Sequence, residues 1–349
     1  MALHDIIGQD RAVQILRKTI GRGRLPSSYL FAGESGIGKK LTAVSLAKAL
    51  NCLTPGQGTA TLESDSCDVC SSCRKIDSGT HPDFLFIAPE GGRIRIEEIR
   101  AVDDRLSLKA LEGRYKVVIV DDADAMNQFA ANAFLKTLEE PPDDSLIILV
   151  TSNPDSLPDT IRSRCSRINF SPLSHEDCGH VIERAFSQQA ADSRKSPGQK
   201  GRKSPRTQPA PDGERLALLM RLSMGRPGRV ISGDILEERD WFLQLFRDML
   251  HTEKDGWASR EEMERWFEML FIFLRDMVFA KMGRDSALIN IDLREYLHKL
   301  SSSLDIKVII ESYQRLHVLK GYLFFNLNKS LTWNYSGALL RTTMDDINA

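Results

Sequence analysis

No apolar run in this 349-residue chain approaches the roughly 20 residues that a helix needs to cross a bilayer; runs such as Met269 to Leu274 are far shorter. The opening residues, MALHDIIGQD, carry no basic segment followed by an apolar one, so no secretion signal is expected. A dominant charge is lacking too. Lys and Arg number 47 against 48 Asp and Glu, a net charge of −1. The chain as a whole therefore has no field that would draw it to nucleic acid, and any such contact must come from a local patch. Cysteine is sparse: there are six in all, and four of them fall between positions 52 and 73. That crowding is metal-ligand spacing in a reducing compartment and argues against a disulfide framework. The expectation is a cytoplasmic protein that makes no membrane contact.

What is present is the composition of an ordinary soluble protein, with 42% hydrophobic and 27% charged residues. The length suits two or three domains, each large enough to bury a core. Up to about residue 172, short apolar strands alternate with helical stretches, the pattern of a parallel α/β sheet. The clearest strands are Tyr29–Ala32, Phe84–Ile87, Val117–Val120 and Leu146–Val150. Several lack polar alternation, as strands covered on both faces do. From about 173 to 235 the pattern is helical, with helices expected near His175–Phe186 and Glu214–Met224. Between them the stretch 187–213 is rich in Ser, Gln and Pro. It carries Arg194, Lys195, Lys200, Arg202, Lys203 and Arg206 against Asp192 and Asp212, a local +4. Disorder is expected for such a composition; a DNA-contacting arm and a solubilising tract are both open readings. From about 236 to 349 apolar and aromatic residues recur at helical spacing, including Trp241, Leu245, Met249, Trp266, Leu270, Phe273 and Leu274. They read as the core of a helix bundle.

Chemistry concentrates in three places. Residues 33–40, GESGIGKK, follow a strand, precede a helix expected over Lys40–Leu50, and match a phosphate-binding loop, G-x-x-x-x-G-K-[ST], to all but its last position. Gly33, Gly36 and Gly38 would let backbone amides close around phosphates, and Lys39 would reach their outer oxygens. Lys40 stands where a hydroxyl would ligate Mg²⁺, and an ammonium repels that ion. Thr42 lies two residues on, about 200° round the helix, and cannot take its place. The loop is thus open to two readings, a nucleotide site or a Gly-rich turn without a ligand. The second place is KVVIVDDADAMN (116–127), an apolar strand ending in Asp121 and Asp122. The first acid suits metal binding and the second the polarisation of water. Glu is usual at the second position, and Asp122 would sit back by about 1.5 Å, enough to weaken general-base geometry. Capping a buried strand end is the alternative role for both acids. The third place is the cysteine set Cys52, Cys67, Cys70 and Cys73. Four thiolates make a closed tetrahedral zinc set with a structural role. An iron–sulfur cluster is the rival, without the usual cysteine–proline that follows; unliganded thiols are the bland alternative. Cys165 and Cys178 lie outside the set.

The phrases LPSSYLFAGESGIGKK (25–40), VVIVDDADAMN (117–127), AANAFLKTLEEPP (130–142) and LPDTIRSRC (157–165) run in the order found in AAA+ clamp-loader subunits. The chain resembles the delta-prime family of the bacterial DNA polymerase III clamp loader along nearly its whole length, apart from the basic insertion. The C-terminal LRDMVFAKMG (274–283) and NLNKSL (326–331) look like that family's collar. The resemblance implies an α/β AAA+ domain over 1–172 with a zinc module at 52–73, a helical lid over 173–235 and an all-α collar over 236–349. It implies that Arg164, in Ser163-Arg164-Cys165, projects into the ATP site of a neighbouring subunit; a guanidinium is always charged and can stabilise the transferring γ-phosphate. A surface salt bridge is the competing role for Arg164. Ser152 falls where the family has its sensor-1 polar residue, and Ile7-Gly8-Gln9 resembles the element that cradles adenine, though packing alone would also explain it. Active motor subunits carry a sensor-2 Arg three residues after the Gly of a segment like GRPGRVI; here that position is Gly228, with Arg229 one step late.

Lys40, Asp122 and Gly228 each damage a different part of hydrolysis. The expected function is therefore the stator of a clamp loader, with weak or absent ATPase activity of its own. It would form a hetero-oligomer with gamma/tau and delta subunits, within the DNA polymerase III holoenzyme and its nucleotidyltransferase activity, and act on the sliding clamp and primed DNA through that complex. Structural Zn²⁺ is the expected cofactor, and ATP with Mg²⁺ stays open. An active gamma/tau-type ATPase is the alternative; it calls for a hydroxyl at position 40. A branch-migration helicase motor would leave the four cysteines and the Ser-Arg-Cys motif unexplained.

Overall fold

The structure, a computed structural model, describes residues 1–55, 65–195, 211–233, 235–252, 256–325 and 327–344. In chain order the first part holds α1 (Asp10–Gly21), β1 (Ser28–Ala32), α2 (Lys39–Asn51), α3 (Ser71–Asp77), β2 (Phe84–Ile87), α4 (Ile96–Ser107), β3 (Lys116–Val120), α5 (Gln128–Glu139), β4 (Ser145–Thr151), α6 (Asp159–Arg162), β5 (Ser166–Asn169) and α7 (His175–Lys195). Then come α8 (Gly213–Ser223), α9 (Pro227–Ser232), α10 (Ile235–His251), α11 (Arg260–Lys281), α12 (Arg294–Ser302), α13 (Ile306–Tyr322) and α14 (Lys329–Met344). The chain divides into two compact units, residues 1–181 with 225–229, and residues 182–224 with 230–349.

In the first unit the five strands form one parallel sheet in the order β2-β3-β4-β1-β5. Successive side chains of a strand point to opposite faces, and both faces are covered. Tyr29, Phe31, Val117, Ile119, Leu146 and Ile148 pack with residues of α1 and α2 on one side. Leu30, Val118, Val120, Ile147 and Leu149 pack with residues of α4, α5 and α6 on the other. This is why β1, β3 and β4 are apolar without alternation and wholly buried. The expected strands are present with each boundary within one residue. β5 is an added edge strand. Its sequence, SRIN, buries Ile168 and exposes its other residues, so it carries too little apolar signal to be legible beforehand. The architecture is the expected α/β parallel sheet with helices on both faces, and it brings the loop after β1 and the residues after β3 and β4 to one end of the sheet, where such folds bind ligands.

In the second unit the aromatic stripe is core, as its periodicity predicts. Leu245, Met249, Trp266, Leu270, Phe273 and Leu274 are buried in one cluster, against which Trp241 packs partly covered. Trp257 makes edge contacts with Trp266 and Trp333, with centroids 5.4 and 5.0 Å apart. Asp276, fully buried on α11, accepts hydrogen bonds from the amides of Ile289 and Asn290 and from Asn290 Nδ2; the Arg-Asp pair of LRDMVFAKMG thereby ties down the following loop.

The stretch 187–213 behaves in parts. α7 continues to Lys195, so 187–195 is helical. Gln, Ala, Arg and Lys there are good helix formers, and the next proline is at position 197. Residues 196–210 lie outside the described residues. Among the described residues no helix is long and apolar enough to cross a membrane.

Candidate nucleotide loop and metal centre

The loop after β1 turns through three glycines at positive φ, Gly33 (+152°), Gly36 (+81°) and Gly38 (+96°), and Gly38 opens α2. A Cβ at Gly33 would lie 2.5 Å from the carbonyl oxygen of Phe170, so only glycine passes there. Gln9 braces the loop from outside, its Nε2 donating to the carbonyls of Ile37 (3.1 Å) and Ser171 (2.8 Å). This gives Ile7-Gly8-Gln9 a scaffolding part in the site. A second brace comes from residues 225–229. The amide of Gly228 donates to the Gly36 carbonyl at 2.8 Å, and Arg226 pairs with Glu34 at 3.1 Å. Gly228, at the position of the sensor arginine in motor subunits, instead lets two backbones touch.

Lys39 is 6% exposed, and its Nζ donates to the carbonyls of Gly33 and Glu34, both at 2.6 Å. Burial pulls its pKa down, with Asp122, Asp121 and Asp124 acting in the opposite sense. Lys40 reaches across to the end of β3, where its Nζ lies 3.2 Å from Asp121 Oδ2 and 4.2 Å above the ring of Phe86 on β2. The ammonium thus covers the carboxylate that would help hold Mg²⁺. Thr42 is fully buried, and its hydroxyl donates to the Gly38 carbonyl at 2.9 Å. With no hydroxyl at the ligand position and a cation on the acid, these residues do not fit a magnesium ion.

Asp122 adopts a left-handed backbone (φ +44°). Burial, followed by the neighbouring carboxylates Asp121 and Asp124, raises its pKa. Ser152, after β4, is exposed, and no hydrogen bond described for the site involves it. Its neighbour Thr151 is the residue tied in: its hydroxyl donates to Asp124 Oδ1 at 2.7 Å and accepts from the Asn153 amide. Phe86, Asp124 and Thr151 were not legible as site residues, because each becomes one only through strand order.

Arg164 follows α6 and is about one-third exposed. Its guanidinium pairs with Glu139 at the end of α5 (2.5 Å) and donates to the Thr160 carbonyl (2.8 Å). Its own carbonyl accepts from Ser28 Oγ on β1 at 2.8 Å. Burial pushes the pKa of the adjacent Cys165 up to about 11, so this thiol stays protonated and packs as core.

The four cysteines of the expected set converge, all four sulfurs lying within 4.8 Å of one another. They are free thiols; Cys52, Cys67 and Cys73 are buried and Cys70 partly so. Amides of Cys67, Cys70 and Cys73 point at the Sγ atoms of Cys52, Cys67 and Cys70, at 3.3–3.4 Å. Such donors stabilise thiolates. Burial alone would raise the Cys67 pKa, yet the Thr54 hydroxyl and the amides of Val69 and Cys70 outweigh it and bring it to about 6. Burial, and next the Cys70 thiol, raise that of Cys73. Four sulfurs so crowded cannot all ionise without a cation among them, and the set fits a metal ion that supplies one. Neighbouring charges tie the module to the rest of the unit. Lys48, buried on α2, pairs with Asp68 (2.7 Å) and Asp77 (3.0 Å). Asp65, also buried, accepts from the amides of Leu3 and His4.

Residues 8–174 match the family described as DNA polymerase III, delta subunit, and residues 256–336 match DNA polymerase III, delta subunit, C terminal. The DNA polymerase III subunit delta′ of Bacillus subtilis (strain 168) is 30% identical over 329 residues, covering 88% of this chain and 91% of that one. The DNA polymerase III subunit tau of Escherichia coli (strain K12) is 35% identical over 185 residues, 53% of this chain and 28% of that one. A solved gamma subunit-related protein of Thermotoga maritima aligns over 95% of this chain and 99% of that one, at 21% identity and a TM-score of 0.45.

Proposed function

The chain belongs to the family of DNA polymerase III clamp-loader subunits, and on that premise we propose that it is the delta-prime subunit, a stator that turns over little or no ATP itself. The observation that carries this reading is the ammonium of Lys40 on Asp121, 3.2 Å away, where a motor subunit would need Mg²⁺. Gly228 packed on Gly36 supports it, since the arginine that would sense a γ-phosphate has no room at that position.

In this role the subunit assembles through its C-terminal helical collar with gamma/tau and delta subunits, and the complex opens the sliding clamp and loads it on primed DNA. Arg164 serves the neighbouring ATPase subunit in trans, stabilising charge on its γ-phosphate. About one-third of the side chain is open to a partner. The four cysteines hold a structural Zn²⁺, with no coordination position left for water. The likeness to tau raises a second reading, an active ATPase of gamma/tau type, and Lys40, Asp122 and Gly228 speak against it.

The test is ATP turnover by the isolated chain, and then by the complex assembled with gamma/tau and delta, with and without Arg164→Ala. The expectation is negligible Mg-dependent turnover alone and a fall of about 10³-fold or more at the site that Arg164 serves. Robust turnover by the isolated chain would sink the stator reading. Unchanged turnover in the Arg164→Ala complex would sink the trans role.

A further inference from the structure

The loop at 33–40 is arranged for an anion and closed to a divalent cation. Lys39 is a buried cation whose Nζ touches only neutral carbonyls, of Gly33 and Glu34, and among the described residues no carboxylate forms an ion pair with it. Asp122, Asp121 and Asp124 act on it only from beyond contact distance; a buried charge without a direct counter-ion is costly, and an arriving anion relieves that cost. No side chain caps the first turn of α2, a helix of 13 residues, so its amides are also available to an anion. The brace from Gly228 uses the carbonyl of Gly36 and leaves the loop's amides uncommitted to it.

The cation usually needed beside those phosphates is already there, attached to the chain. Lys40 Nζ is held by Asp121 Oδ2 at 3.2 Å and by the face of Phe86 at 4.2 Å, contacts from the ends of two adjacent strands. We propose that Lys40 is a tethered substitute for the divalent cation, so that this loop takes a nucleoside di- or triphosphate in its metal-free form. The metal-free nucleotide carries the negative charge that magnesium would otherwise neutralise. Lys39 and Lys40, adjacent at the start of α2, supply the matching positive charge. Magnesium competes with them: it lowers the charge of the ligand, and its own place is taken. The proposal rests on the reading of this loop as one that does not hydrolyse, and makes no use of Arg164.

The experiment is calorimetric titration of the full chain with ADP and with ATP, once in EDTA and once in excess Mg²⁺. The expected result is binding in EDTA that weakens about tenfold in Mg²⁺, the equivalent of one charge-assisted hydrogen bond. Lys39→Ala should lose binding in both conditions, which locates the ligand in the loop. Lys40→Thr should reverse the preference, so that Mg²⁺ tightens binding. The Lys40 side chain is mostly exposed, so folding should survive, and Lys40→Gln, which cannot ligate the metal well, should weaken binding in EDTA without gaining any in Mg²⁺. Tighter binding in Mg²⁺ by the unaltered chain, no binding of either form, or an unchanged preference in Lys40→Thr would each overturn the proposal. Turnover by the assembled complex is a separate readout, so the stator and trans-arginine readings can fail or stand independently of this one.

Discussion

Gly228→Ala should release the phosphate loop from its brace. A Cβ at 228 would lie 2.7 Å from Gly36 Cα, 2.8 Å from its oxygen and 3.1 Å from its carbonyl carbon. All three are backbone atoms, which cannot rotate away, so the two segments must move apart. Overpacking of this kind costs about 1–3 kcal/mol. Separation also stretches the 2.8 Å hydrogen bond from the Gly228 amide to Gly36, worth about 1 kcal/mol net. The Arg226–Glu34 pair in the same segment adds at most about 1 kcal/mol, because Glu34 is half-exposed. The sum is about 2–5 kcal/mol against local closure. Amide hydrogen exchange reads it directly: protection at position 228 should fall by about 30-fold or more. Gly213→Ala, whose Cβ would meet nothing within 4 Å, is the neutral control. Exchange at 228 within twofold of the unaltered chain would refute the reasoning, since it would mean that the close approach of the two glycines holds nothing together.

Asp83 gives a pH-dependent test. Burial opposes its charge, but the amides of Gly113, Leu111 and Glu112 outweigh burial and hold its pKa below the usual carboxylate range. A depressed pKa contributes stability above the unfolded value of about 3.9 that is lost as pH falls through the folded value. Asp83→Asn should therefore cost on the order of 2–3 kcal/mol in urea unfolding near neutral pH, with the difference shrinking below about pH 4; a difference independent of pH would contradict the account. For the metal centre, elemental analysis should find one zinc per chain, released when the four thiols are titrated. Its removal should raise amide exchange at Leu3 and His4, which Asp65 within the module anchors. Iron in place of zinc, or exchange unchanged on removal, would contradict the reading.

The strands and the cysteine spacing could be read before the fold because both are short-range patterns. Val117–Val120 and Leu146–Val150 announce themselves by apolar runs, whose cause is burial on both faces of the sheet. The edge strand at Ser166–Asn169 could not be read, since an edge buries little and leaves little apolar signal. The same limit hid Asp65 and Lys48. A buried charge looks like a surface charge until its partner, far along the chain, is brought beside it.

The sequence alone determined that residues 33–40 match the pattern of a phosphate-binding loop in all but its metal-ligating hydroxyl, and that Cys52, Cys67, Cys70 and Cys73 have the spacing of a metal-ligand set. Residue type and spacing suffice there, because glycine's tolerance of positive φ and the chemistry of thiols are local properties. Tertiary structure alone decided what replaced the missing hydroxyl. The parallel order β2-β3-β4-β1-β5 places the end of β3 within reach of α2. That reach puts the Lys40 ammonium on Asp121, while the fold sets Gly228 against Gly36 and Glu139 against Arg164. No periodicity encodes these meetings, because each depends on how segments distant along the chain cross at the end of the sheet.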